Sequence, residues 1–235
     1  MGLTAEGRLS DSPYVDSIWR GCADADHTLM CPADGRWTLS FSKLNGMTQV
    51  AIEGPMTKAV PKTHLEGVDW LVIKFKLGVF LPGVPARKYL DSIAPLPEAA
   101  CQSFWFDSLT WQIPNYENAD TFVDRLVRAG ILVHEPITNA DHQGQSQALS
   151  LRTVQYRFLR STGLSQRTIR QIERARYAAA LLKQGVSIFD TVYKAGYSDQ
   201  PHLTRSLKHF IGYTPAEILT TPIIGLHPHQ ESFVR

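Results

Sequence analysis

Apolar residues recur with the period of a helix in the last third of the chain and with the period of a strand nearer its start. From about Gln200, Leu203, Leu207, Phe210 and Ile211 stand at i, i+4, i+7 and i+8 and form one stripe, while His202, Arg205 and His209 take the opposite face. Ahead of it, Ile188, Val192 and Ala195 make a shorter stripe, and Gly196 with the following Tyr-Ser-Asp supplies a tight turn. The pattern predicts helix, turn, helix. Gly212 stops the second helix, and Thr214-Pro215-Ala216-Glu217 reads as a capping box with Pro at the first helical position, so a further helix begins there.

The same pattern occurs earlier. Shifted by 49 residues, Val154 aligns with Leu203, Phe158 with Leu207, Gly163 with Gly212 and Ser165 with Thr214. Outward positions align as well: Arg152 with Pro201, Thr153 with His202, Tyr156 with Arg205, Arg160 with His209. Between the two units, Gln166 to Gln184 carries Ile169, Ile172, Ala175, Ala179 and Leu182 on one helical face, with Arg167, Arg170 and Arg174 largely away from it. A long helix that docks both units fixes their separation, as two helices entering successive major grooves about 34 Å apart would require.

The stretches GYSDQPHLTRSLKHFIGYTPAEI and SLRTVQYRFLRSTGLS resemble the two helix-turn-helix signatures of the AraC/XylS family of bacterial transcription regulators. The resemblance runs from about Pro136 to Leu219. The segment before Ser150, NADHQGQSQAL, is richer in Gln and Gly than the family pattern, which shortens the first helix of the first unit. The resemblance implies a strand-rich N-terminal part, similar to the short sensory domains of one subgroup, that senses an effector or dimerises. Duplex operator DNA, a small-molecule effector and RNA polymerase are the partners it implies, with the protein a monomer or homodimer.

In the first half, Trp37, Leu39 and Phe41 alternate with Thr38, Ser40 and Ser42, and beyond Asn45-Gly46 the set Thr48, Val50, Ile52 alternates again, which predicts a hairpin with a turn at or around Asn-Gly. Leu71, Ile73, Phe75 and Leu77 alternate with Lys74 and Lys76, and Ser103 to Trp111 is an aromatic-rich strand candidate. Pro85 to Ala100 reads as short helical turns, and residues 1–15 as polar and loosely ordered. Asn118 caps a helix with the stripe Phe122, Val123, Leu126 and Val127, ended by Gly130. The expected fold is α+β in two domains. Residues 1–130 form a small β-barrel or sandwich with a closing helix, 131–144 a linker, and 145–235 an all-helical double helix-turn-helix domain. The closing helix is either a lid or a relay between the domains.

Charge sharpens this division. The net charge is only +2, yet residues 144–235 hold 12 Lys/Arg against 5 Asp/Glu and residues 1–143 hold 12 against 17. The basic half carries the repeats, which points to a polyanion as its partner. Candidate DNA contacts follow from side-chain chemistry. Arg152 and Arg205 can pair bidentately with guanine, Gln155 and Gln200 with adenine; Tyr156, His202 and Thr204 contact base or backbone; Arg157, Arg160 and Lys208 neutralise phosphate. The bland reading of each is a solvated helix face.

The remaining chemistry is sparse. Cys22, His27 and Cys31 lack a fourth ligand at a usual spacing, so no metal site is assigned. An odd set of three cysteines and the absence of an apolar leader or 18-residue apolar run predict a cytoplasmic location. No nucleophile elbow, phosphate loop or H-E-x-x-H occurs, so neither catalysis nor a cofactor is expected, and no membrane partner. The aromatics Trp37, Phe75 and Trp105 are candidates to wall an effector pocket, with core packing as their bland reading. A competing reading makes the chain a small-molecule or redox and alkylation-stress binder in which a cysteine or an apolar pocket is the main site.

Overall fold

The structure is a computed structural model that describes residues 3–100, 102–135, 151–221 and 223. In chain order the strands are β1 (Leu3–Leu9), β2 (Val15–Ala23), β3 (His27–Cys31), β4 (Thr38–Leu44), β5 (Met47–Glu53), β6 (Val60–His64), β7 (Asp69–Phe75), β8 (Val79–Phe80), β9 (Ile93–Leu96), β10 (Glu98–Ala99), β11 (Ser103–Phe106) and β12 (Leu109–Gln112). Helix α1 (Ala119–Arg128) and β13 (Val133–His134) follow, then α2 (Leu151–Thr162), α3 (Gln166–Lys183), α4 (Ile188–Lys194), α5 (Gln200–Phe210) and α6 (Pro215–Thr220).

Six antiparallel strands form the main sheet in the order β1-β2-β7-β4-β5-β9. The Asn45-Gly46 pair is the whole turn between β4 and β5, with φ of 51° and 80°, the two positive values a type I′ hairpin needs. Alternation then sorts the two faces. Leu39, Phe41, Val50, Ile52, Ile73 and Phe75 point to one side and meet Phe104, Phe106 and Trp111 of the β11–β12 hairpin and Phe122, Val123 and Leu126 of α1. Against that side the predicted stripe of α1 is used up on the N-terminal core, so the helix sits as a lid on that half. Across the other face lies a separate two-stranded ribbon, β3 with β6.

Two stretches differ from the sequence expectation. Residues 3–9, expected to be loose, form edge strand β1, whose alternation of Leu3, Ala5, Gly7, Leu9 with Thr4, Glu6, Arg8 has side chains too small to register as a stripe. Pro85 to Ala100 yields one 3-10 turn, Ala86–Tyr89, and then strand β9, which accommodates Pro95 because it is a sheet edge. Val133 and His134, assigned to a linker, pair with Phe80 and Val79, so the N-terminal half extends through them. Residues 136–144 of the expected linker, the helix before Ser150, Cys101 and the His227–His229 tail lie outside the described residues.

The helical half follows its pattern closely. Ser165, Ser187, Asp199 and Thr214 cap α3, α4, α5 and α6 with side-chain oxygens, and Thr214 with Glu217 makes the reciprocal capping box. Ile169, Ile172, Ala175, Ala179 and Leu182 of α3 are buried against Phe158, Leu203, Leu207, Phe210 and Ile218. One member of that cluster, Ala33, comes from the N-terminal half.

Candidate nucleic-acid interface

The two aligned helices present their outward residues to solvent. On α2, Arg152, Gln155, Tyr156 and Arg157 are exposed, Tyr156 at 65%. On α5, Gln200, Arg205 and Lys208 are exposed, while His202 and Thr204 are half-buried. These sets sit opposite the buried residues Phe158 on α2 and Leu203, Leu207 and Phe210 on α5, so packing of the apolar stripe is what orients them. Asp199 fixes the start of α5: its Oδ1 accepts the His202 backbone N–H at 2.7 Å and its Oδ2 the Ser198 hydroxyl at 3.0 Å. Those two bonds hold its carboxyl below the usual carboxylate range. The His202 ring is committed locally, with Nδ1 3.1 Å from Ser198 Oγ and its plane edge-on to Tyr197 at 5.1 Å. Arg160 differs from the others. Its guanidinium lies 5.5 Å from the centre of the Phe80 ring and 3.9 Å from Glu135, both in the N-terminal half, so it turns toward that half.

Three seams hold the helical half against the strands. The turn after α2 abuts the 3-10 turn, where a Cβ on Gly163 would stand 2.9 Å from the Ala86 backbone, and Trp37 Nε1 donates to the Ser161 carbonyl at 3.2 Å. Along α3, Arg36 pairs with Glu173 at 2.9 Å and the Arg176 guanidinium donates to the Ala33 carbonyl at 3.3 Å, all of it buried. Asp34 joins this cluster through Lys74 at 3.0 Å. Burial alone would raise the Asp34 carboxyl, but the charges of Lys74, Arg176 and Arg36 outweigh it and hold it low. At the end of α5, the Ala33 and Ala59 N–H groups donate to the carbonyls of Phe210 at 2.8 Å and His209 at 2.9 Å. These are carbonyls that a helix C-terminus leaves without a partner, so the N-terminal half caps the candidate recognition helix.

Immediately behind that cap lies a cavity of about 620 Å³ between the outer sheet face and the β3–β6 ribbon. Trp19, Trp70, Val72, Met30, Met56 and Leu65 give it apolar walls, and Lys62 with Glu53 and Lys74 with Asp34 supply two charge pairs. None of the three aromatics expected to wall a pocket lines it. Trp37 and Phe75 are fully buried in contact with the core, and Trp105 is a surface residue at 46% exposure. Trp37 and Phe75 belong to the packed face of the sheet; the cavity is on the other. Cys31 lines it too, but burial pushes its thiol up, away from the thiolate that redox chemistry needs. Asp34, Arg36 and the ribbon carry weight in this interface and were passed over in the sequence. Their signal was limited to a charged Asp-Gly-Arg turn ahead of an alternating strand.

Comparison with known families matches residues 145–221 to a helix-turn-helix domain. The C-terminal domain is an AraC-type helix-turn-helix domain. A stretch of 100 residues is 35% identical to the HTH-type transcriptional regulator RipA of Corynebacterium glutamicum; the match takes in 42% of this chain and 30% of that protein's length. Among solved structures, ToxT from Vibrio cholerae is similar over 94% of this chain and 100% of its own, at 10% identity and a TM-score of 0.41. ToxT of strain O395, bound to (E)-4-(8-methylnaphthalen-1-yl)but-3-enoic acid, is similar over 93% and 98%, at 12% identity and a TM-score of 0.44. Within the AraC-type domain, α2 and α5 occupy corresponding places in the repeat, and both are clamped from behind by the strand-rich half. No helix among the described residues is long and apolar enough to cross a membrane.

Proposed function

We propose that this protein is a transcription regulator that binds duplex DNA through α2 and α5 and is controlled by a small molecule held in the cavity under the β3–β6 ribbon. The observation that carries the first part is the pair of exposed Arg- and Gln-bearing faces on two helices repeated 49 residues apart inside an AraC-type domain. Arg152, Arg205, Gln155 and Gln200 are the base readers, and Arg157 and Lys208 meet phosphate. The observation behind the second part is position. The ribbon walls the cavity, and the residues flanking its two strands, Ala33 and Ala59, cap α5, so a molecule that spreads the ribbon from the sheet strains the contacts that hold the candidate recognition helix.

Titration of a fluorescent promoter fragment at several salt concentrations tests the reading. Each phosphate neutralised contributes about −0.9 to the slope of log K against log salt, so a steep slope is expected, together with tighter binding to the gene's own promoter than to random duplex. Equal affinity for both duplexes would reject sequence-specific regulation. Native mass spectrometry of the purified protein, before and after denaturation, tests the cavity by its co-purified mass.

A further inference from the structure

Strand β1 is the free end of the six-stranded sheet and carries Leu-Thr-Ala-Glu-Gly-Arg-Leu without a proline. Ser10 N–H bonds inward to the Asp16 carbonyl at 3.3 Å, so by the alternation of an antiparallel ladder Arg8, Glu6 and Thr4 aim their backbone groups at β2. Leu9, Gly7, Ala5 and Leu3 aim theirs outward, and among the described residues no backbone hydrogen bond reaches them. Free edges of this length are normally blocked by a proline, a bulge or charged side chains, lysine above all. Here the charges on the edge are of opposite sign.

We propose that two copies of this chain join through β1, antiparallel about a two-fold axis at Gly7, to make one continuous twelve-stranded sheet. Outward backbone groups at odd positions limit the register to those that pair odd residues with odd. Centring on Glu6 sets two carboxylates opposite each other, and centring on Arg8 sets two guanidinium groups opposite, both destabilising. Centring on Gly7 pairs Glu6 with Arg8 of the second copy twice, and Ala5 with Leu9 twice. Leu9, 61% exposed, is covered by that pairing. At the axis, Gly7 has no side chain because the Trp19 ring lies over it, so the two backbones meet with nothing between them. On the opposite face of the strand the Glu6 and Arg8 side chains are already held upright, by Arg20 at 2.5 Å and Asp120 at 2.7 Å, and need little further ordering. The occupant is a second copy because the register that satisfies the backbone also satisfies its own charges.

Sedimentation equilibrium of the full chain at tens of micromolar tests this. Wild type is expected to be a dimer. Glu6→Lys and Arg8→Glu each turn two attractive contacts into repulsive ones and should weaken the dimer at least tenfold, with circular dichroism showing the fold retained. Mixing the two variants restores opposite charges at both contacts: the introduced lysine of one copy faces the introduced glutamate of the other, and the unchanged Arg8 of the first faces the unchanged Glu6 of the second. A heterodimer should therefore form where neither variant pairs with itself. Ala5→Pro, which removes an outward N–H, should be monomeric alone and in the mixture. A monomeric wild type, variants that dimerise as wild type does, or a mixture that stays monomeric would each overturn the proposal.

Discussion

Arg205 and Lys208 lie one helical turn apart on the same exposed face of α5, yet physics gives them different work. A guanidinium has the fork that matches guanine O6 and N7; an ammonium is a point charge suited to phosphate. Arg205→Ala should therefore relax base preference at one operator position by about 1–3 kcal/mol, whereas Lys208→Ala should weaken all duplexes alike and reduce the salt slope by about one phosphate. Binding arrays with single-base operator variants read both effects. Asp199 sets the geometry on which both depend. Its folded carboxyl titrates below the unfolded value because it accepts the His202 N–H, then the Ser198 hydroxyl. The cap's contribution is accordingly complete above the ordinary carboxylate value of about 3.9 and is lost as pH falls through the lower folded value. Hydrogen exchange at the His202 amide should show protection fading over that window, and Asp199→Asn should flatten the dependence.

At the scale of elements, the turn that carries Asp34, Gly35 and Arg36 is the one that presses on α3. Gly35 has φ of 63°, and a Cβ there would meet the Ile169 side chain, so both its backbone and its space call for glycine. Gly35→Val should open this seam: thermal stability falls, and the response of DNA affinity to the co-purified molecule weakens, while the isolated folding signal of the β-rich half stays. Scanning calorimetry that showed one unchanged transition would oppose it. Elements differ in how far the sequence announces them. The stripes of α3, α4 and α5, the stop at Gly212 and the cap of α6 were legible because each is a local rule: Thr214 and Gly212 act within a turn of themselves. The β4–β5 hairpin was legible for the same reason. Strand β1, the β3–β6 ribbon and the cavity were not, because they depend on pairing across distance: β3 finds β6 with His27 opposite His64, and no local period announces it. The aromatic residues misled for a physical reason as well. A sheet has two faces, and Trp37 and Phe75 belong to the one that packs, whereas Trp19 and Trp70 belong to the one that encloses space.

For the molecule as a whole, the proposed function requires an acidic half and a basic half that share a buried ion cluster to act on DNA together. Arg36 and Glu173 bridge the halves with side chains only 6% and 8% exposed, so neither charge can return to water without the seam parting. The guanidinium remains charged because Glu173, Asp16 and Asp34 outweigh its burial. Removing one partner leaves the other buried and uncompensated, which costs about 3–5 kcal/mol, whereas removing both is far cheaper. Arg36→Ala should therefore destabilise the chain strongly in urea, and Arg36→Met with Glu173→Leu should recover most of the loss. The DNA consequence separates a strut from a coupling element. If docking holds α2 and α5 at the separation that DNA accepts, the apolar pair, stable and well packed, should bind the promoter as wild type does. If the ion cluster is the element whose arrangement the cavity's occupant shifts, the apolar pair should bind DNA with an affinity that no longer depends on that occupant, because coupling exists only where the two states differ in free energy. Lys74 decides the expectation. It faces the cavity and pairs with Asp34 inside the cluster, so a molecule seated there touches the network directly. We expect loss of the dependence with affinity itself within a few fold, measured by the same promoter titration with and without the co-purified molecule.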